Sequence, residues 1–142
     1  MEKRDPMHTT NYFNTFILLA DDCSAREGIM PTPKGDKKTV ANLQFEMVYE
    51  KPYAYTSDEV LFAVFAQRKG FLKGELDVER ETYFSKGQPC FRASPLTKRY
   101  GWGVHFNADG KMALFSPDSS DYQQFLEDDS VKKVKAMRNK RA

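Results

Sequence analysis

The chain is poor in the residues that hold small folds together covalently or through metals. It has two cysteines, Cys23 and Cys90, and two histidines, His8 and His105. None has a near neighbour of either type, whereas structural zinc sites draw their ligands from close pairs, so no metal site is expected. Without a C-x-x-C spacing both cysteines read as free thiols, and a single disulfide between them stays open but unneeded. Long apolar runs are also missing. None approaches the roughly 18 residues that a membrane span requires, so no membrane partner is expected. The start, Met1 to Asn14, is polar, and the run after it, Phe16 to Ala20, is shorter than the roughly 7–15 residues of a secretory signal core. The expected location is the cytoplasm.

Recognised catalytic signatures are absent as well. No paired-carboxylate spacing, nucleophile elbow, dinucleotide fingerprint or H-E-x-x-H occurs, and no motif asks for a cofactor. Gly28 fails as the start of a phosphate loop, because Pro33 stands where the second glycine must be. This excludes a recognised enzyme rather than every enzyme.

What is present is enough for a core. At 40% hydrophobic and 13% aromatic, the composition excludes a wholly disordered chain. The 142 residues leave room for one domain, which can bury about two-thirds of its unfolded surface. Twenty-two basic against 20 acidic residues give +2, too near balance to name a polyanionic partner.

Along the chain, residues 1–11 read as a flexible lead-in and Asn14 to Ala20 as a buried strand. Residues 21–38, with Pro31, Pro33 and Gly35, read as a long loop. Thr39 opens a helix to about Glu50, with Val40, Leu43 and Met47 on one face. Thr56 and Glu59 form a capping box before Val60 to Ala66. That run is continuously apolar, so periodicity leaves helix and strand open; the cap and Gly70 favour a helix over 57–69. A third helix is expected over 75–85, led by Glu75, Asp77 and Glu79. Asn107-Ala-Asp-Gly110 suits a bulged hairpin turn pairing Phe106 with Met112 and Val104 with Leu114. Two short helices then follow, one capped by Ser119 or Ser120 and one by Ser130, so that 128–142 reads as a basic C-terminal helix or tail. The expected fold is α+β: a single domain over 1–142 with a small antiparallel sheet and about five helices covering it. Its strands lie near 14–20, 90–94, 99–107 and 111–116, and the hairpin falls in the C-terminal half.

Residues 82–108 hold no acid, yet carry Lys86, Arg92, Lys98 and Arg99 among Tyr83, Phe84, Phe91, Tyr100, Trp102 and Phe106. If 99–107 is one strand, Arg99, Gly101, Gly103 and His105 share a face, and the glycines leave bare backbone there. The candidate ligand-binding residues are therefore Arg92, Arg99, Gly101, Trp102, Gly103 and His105, a shelf for a planar or anionic ligand anchored by an arginine fork. The competing account, and the commoner arrangement, is a helix or aromatic ring laid over the glycines.

The strings His8-Thr-Thr-Asn-Tyr-Phe-Asn-Thr-Phe16, Phe84-Ser-Lys-Gly-Gln-Pro-Cys90, Arg92-Ala-Ser-Pro-Leu96 and Lys98-Arg-Tyr-Gly-Trp-Gly-Val-His105 resemble a family of small bacterial proteins defined as a domain of unknown function. The resemblance runs from Met7 to about Arg141 and makes Met1 to Pro6 an extension. It implies a single-domain cytosolic protein and carries no activity, cofactor or catalytic residue with it.

Three functions follow as expectations. The favoured one is a non-catalytic cytosolic binding module that takes a small anionic ligand or partner at the basic, aromatic β surface. The second is a small enzyme of unrecognised type using Cys90, His105 and the arginines. The third, not favoured, is single-stranded nucleic acid stacked on the rings.

Overall fold

The computed structural model describes residues 7–140. It contains β1 (Thr15–Leu18), α1 (Val40–Glu50), α2 (Ser57–Lys69), α3 (Leu76–Phe84), α4 (Pro95–Lys98), β2 (Gly103–Phe106), β3 (Met112–Phe115), α5 (Ser120–Glu127) and β4 (Lys132–Lys135). Short 3-10 turns at Lys73–Glu75 and Phe91–Ala93 lead into α3 and α4. The result is an α+β domain around one four-stranded sheet ordered β3-β2-β1-β4.

The helices begin where side chains satisfy their free N–H groups. Thr39 Oγ1 accepts from Asn42 N–H at 3.2 Å, while Asn42 Oδ1 accepts from Thr39 N–H at 2.9 Å. Thr56 and Glu59 make the same reciprocal pair ahead of α2. Acids Asp58 and Glu59 occupy the first turn of α2 and Arg68 and Lys69 the last, matching the helix dipole. Gly70 closes α2 at φ +72°, a left-handed position, with its N–H on the carbonyl of Ala66.

The hairpin takes the expected register, Phe106 opposite Met112 and Val104 opposite Leu114. Asn107 N–H donates to Lys111 O at 2.9 Å, and Gly110 sits at φ +78° as the turn requires. Alternation along the strands then separates two cores. Ile17, Val104, Phe106 and Met112 face α1, α2 and Leu96 of α4 in the larger one. On the other face Phe16 packs with Tyr122 and Val131, under Phe125 and Leu126. A third cluster, Phe62, Ala66 and Phe84, joins α2 to α3.

Four expectations need correction. The sheet is mixed: β1 is antiparallel to β2 but parallel to β4, Thr15 standing opposite Lys132. The second C-terminal helix is this strand β4. Ser130 does not cap a helix there; its hydroxyl donates to Asp128 Oδ1 at 2.6 Å. Val134 and Ala136, two apart, reach the main core in strand alternation, which a helix over these residues would not allow. The segment 90–94 is no strand, because Ser94 caps and Pro95 opens α4, proline fitting the first helical position. Finally, β2 starts only at Gly103. Gly101 turns left-handed at φ +78°, and Trp102 N–H donates to Leu96 O instead of to a strand.

The ends are clamped where a lead-in and a tail were expected. Of the lead-in 1–11, Met1 to Pro6 lie outside the described residues. Residues 8–11 dock on α2 and α3: His8 N–H donates to Phe84 O, and the buried Asp58 carboxylate accepts from Thr9 Oγ1, Thr10 N–H and Thr10 Oγ1 at 2.6–2.7 Å. Asn11 Oδ1 returns a bond by accepting from Asp58 N–H. At the other end the Asp22 carboxylate accepts from the backbone of Asn139 and Lys140. Arg141 and Ala142 lie outside the described residues.

Candidate functional site

The expected strand face does not form as one surface. Gly103 is buried, and a Cβ there would lie 2.6 Å from both Phe16 and Tyr122, so aromatic rings roof it. Gly101 is covered by Ala25 and the carbonyl of Glu27, each under 3 Å from where a side chain would begin. Trp102 is buried in the main core, its indole N–H donating to Ile29 O at 2.9 Å. Gly28 presses on that ring, and Ile29 N–H bonds Tyr100 O, so the 21–38 loop is laid down as a strap over Trp102.

The charged candidates separate. Arg92 Nε donates to Lys135 O at 2.6 Å beside β4, and Arg99 Nε reaches Asn139 Oδ1 at 3.3 Å. Both border the C-terminal segment. His105 points to the opposite face, stacked on Phe125 with centroids 4.1 Å apart and Nδ1 bonded to the Tyr53 hydroxyl at 2.9 Å. Burial holds its imidazole below the ordinary value, and Asp128 only partly offsets this.

Cys90 lies with the other face. Its Sγ is 3.1 Å from the Tyr12 hydroxyl, and Tyr12 packs on Phe106 on the main-core side. Tyr12 is pushed up to about 12 by burial first and the Cys90 contact second, while the Arg92 guanidinium pulls it down. The structure therefore keeps Arg92 near Cys90 but puts the sheet between Cys90 and His105. Phe84, Phe91 and Phe106 are buried core, not an exposed stacking platform.

What the structure does assemble is a cleft of about 480 Å³ between α1, α2 and α3. Val40 and Gln44 come from α1, one turn apart. Leu61, Val64, Phe65 and Arg68 come from α2 at helical spacing, and Tyr83 from α3 closes the third side. Cations hold one end: Arg68 has no hydrogen-bond or ion-pair partner among the described residues, and Lys69 Nζ lies 5.8 Å from the Phe65 ring centre. Tyr83 tilts against Phe65 at 4.7 Å, and burial raises its phenol above the ordinary value.

A smaller lobe of about 210 Å³ adjoins it, sharing Val40, Gln44, Leu61 and Tyr83 and ending on Pro89, Cys90 and Ser94. Gln44 is buried at the junction, with Oε1 accepting from Ser94 Oγ at 2.6 Å. The sequence reading missed this site because three separate helices build it. Its one legible trace was the stripe Leu61, Val64 and Phe65, hidden inside the continuously apolar run Val60 to Ala66, with Arg68 just beyond it.

Among the described residues no helix is long and apolar enough to cross a membrane. Comparison with curated proteins and with solved structures returns no match. A family model described as a family of unknown function (DUF6157) matches residues 7–142, and the chain belongs to that family.

Proposed function

We propose that this chain is a cytosolic, non-catalytic binding module that takes a small anionic ligand with an apolar body in the cleft between α1, α2 and α3. The observation that carries the reading is the cleft itself, apolar along its walls and cationic at the Arg68 end. Its volume falls inside the roughly 300–1,000 Å³ range of small-molecule sites, which combine apolar linings with a few placed polar groups. Leu61, Val64 and Phe65 would hold the body, and Arg68 would take a carboxylate or phosphate through its planar fork. Unpaired Cys23 and Cys90 suit a reducing compartment.

The anionic ligand expected on the sheet surface is kept in this reading, but its place moves. Titration with phenyl phosphate, followed by amide NMR, tests the move. The expected result is saturable shifts at Gln44, Leu61, Phe65 and Tyr83, with affinity lowered about tenfold in Arg68→Ala, the scale of one charge-assisted contact. Shifts centred on Arg92 and Arg99 would return the site to the sheet edge, and no shift anywhere would end the proposal.

A further inference from the structure

The small lobe of the cleft carries two features that simple binding leaves unused. Gln44 is only 3% exposed, yet its amide Nε2 has no hydrogen-bond partner among the described residues. No fully enclosed side-chain N or O atom among those residues lacks a partner, so this donor opens onto the lobes it lines. A donor left to solvent in this way can be met by an acceptor on a ligand seated in the cleft. Cys90 lines the same lobe, half-buried and in no disulfide, with its Sγ 3.1 Å from the Tyr12 hydroxyl. From Leu61, which borders both lobes, to Arg68 at the cationic end is two turns of α2, roughly 10 Å.

We propose that Cys90 forms a reversible mixed disulfide with a small carboxylate-bearing disulfide seated along this cleft. The assignment rests on the cleft being a ligand site. The acid of one half meets Arg68 and Lys69, the chain of that half crosses the apolar wall past Gln44, and its sulfur reaches Cys90. The Cys90 proton passes to solvent and the thiolate attacks the near sulfur. A new bond forms between Cys90 Sγ and that sulfur as the S–S bond of the small disulfide breaks. The other half leaves as a thiolate and takes a proton from solvent. No electrons are gained or lost overall, and a second small thiol reverses the step.

The test uses the full chain with 5,5′-dithiobis(2-nitrobenzoate), an anionic disulfide, and 4,4′-dithiodipyridine, a neutral one. Release of the coloured thiol is timed by stopped flow, and mass spectrometry locates the adduct. Cys90 is expected to react with the anionic reagent at least about tenfold faster than Cys23 in the folded protein, as a focused positive site allows. Arg68→Ala should remove that advantage and leave the neutral reagent's rate unchanged. The proposal falls if Cys90 reacts only after unfolding, or no faster than Cys23, or if Arg68→Ala slows both reagents alike. Phenyl phosphate binding to Cys90→Ser separates the two readings. Binding there beside an inert wild-type Cys90 overturns the disulfide step alone, and loss of both binding and reaction overturns the cleft as well.

Discussion

Gly103→Ala is the sharpest probe of how the sheet is covered. The added methyl would lie 2.6 Å from Phe16 Cζ and from Tyr122 Cε2, and 3.0 Å from Tyr122 Cδ2. Ordinary carbon contacts begin near 3.5 Å, so the rings must separate by close to an ångström. Neither moves freely. Phe16 is fully buried between Tyr122, 4.8 Å away edge-on, and Phe125, 5.1 Å away and stacked. Tyr122 is also tied through its hydroxyl, which accepts from Leu19 N–H. Overpacking a well-filled core costs about 1–3 kcal/mol, and two pinned rings place this substitution at the upper end, about 2–3 kcal/mol. With an unfolding entropy of about 0.3 kcal/mol per kelvin for a chain of this length, the melting temperature should fall by about 7–10 °C. Calorimetry on the purified variant measures it directly. A shift under about 2 °C would refute the reasoning and mean that the glycine faces open space, as a ligand shelf requires.

Other perturbations test the clamp and the buried imidazole. Asp58→Ala leaves Thr10 N–H and two threonine hydroxyls without their acceptor, and should cost about 2–4 kcal/mol in urea unfolding, since bonds to a charged group are the stronger kind. A loss below about 1 kcal/mol would show that water serves those donors equally well. His105 binds its proton less readily in the folded state than when exposed, because burial lowers its pKa. Its contribution is therefore complete above the ordinary value near 6.5 and shrinks as pH falls through that value toward the lower folded one. Urea midpoints at pH 7.5 and pH 5 should fall further for wild type than for His105→Gln; equal declines would contradict the assignment.

Sequence legibility followed sequence distance. The caps at Thr39 and Thr56, the Gly70 stop and the hairpin register each depend on residues a few positions apart, and each stands in the structure as read. The errors arose where distant segments decide. Lys132–Lys135 has weak strand composition, and only β1 makes it a strand. Gly101 was placed on a strand face by alternation, but one left-handed residue ended that alternation. Arg92, Arg99 and His105 looked adjacent because they share a stretch of chain, and the sheet put them on different sides. The cleft was hidden for the converse reason: Gln44, Arg68, Tyr83 and Cys90 are far apart until α1, α2 and α3 pack.

The parallel pairing of β1 with β4 also bears on how the chain matures during synthesis. β1 precedes the other described strands in the chain and lies inside the sheet, between β2 and β4. Its β2 edge is covered once the hairpin region is made, but its β4 edge must wait for Lys132–Lys135, which follows the other three described strands in the chain. A pairing so distant in sequence pays its loop-closure cost late and forms slowly. Until then the nascent domain carries an open edge beside the buried residues Phe16 and Ile17. The interval between finishing β3 and finishing β4 is thus when this protein is most exposed to edge-to-edge association with its own unfinished copies.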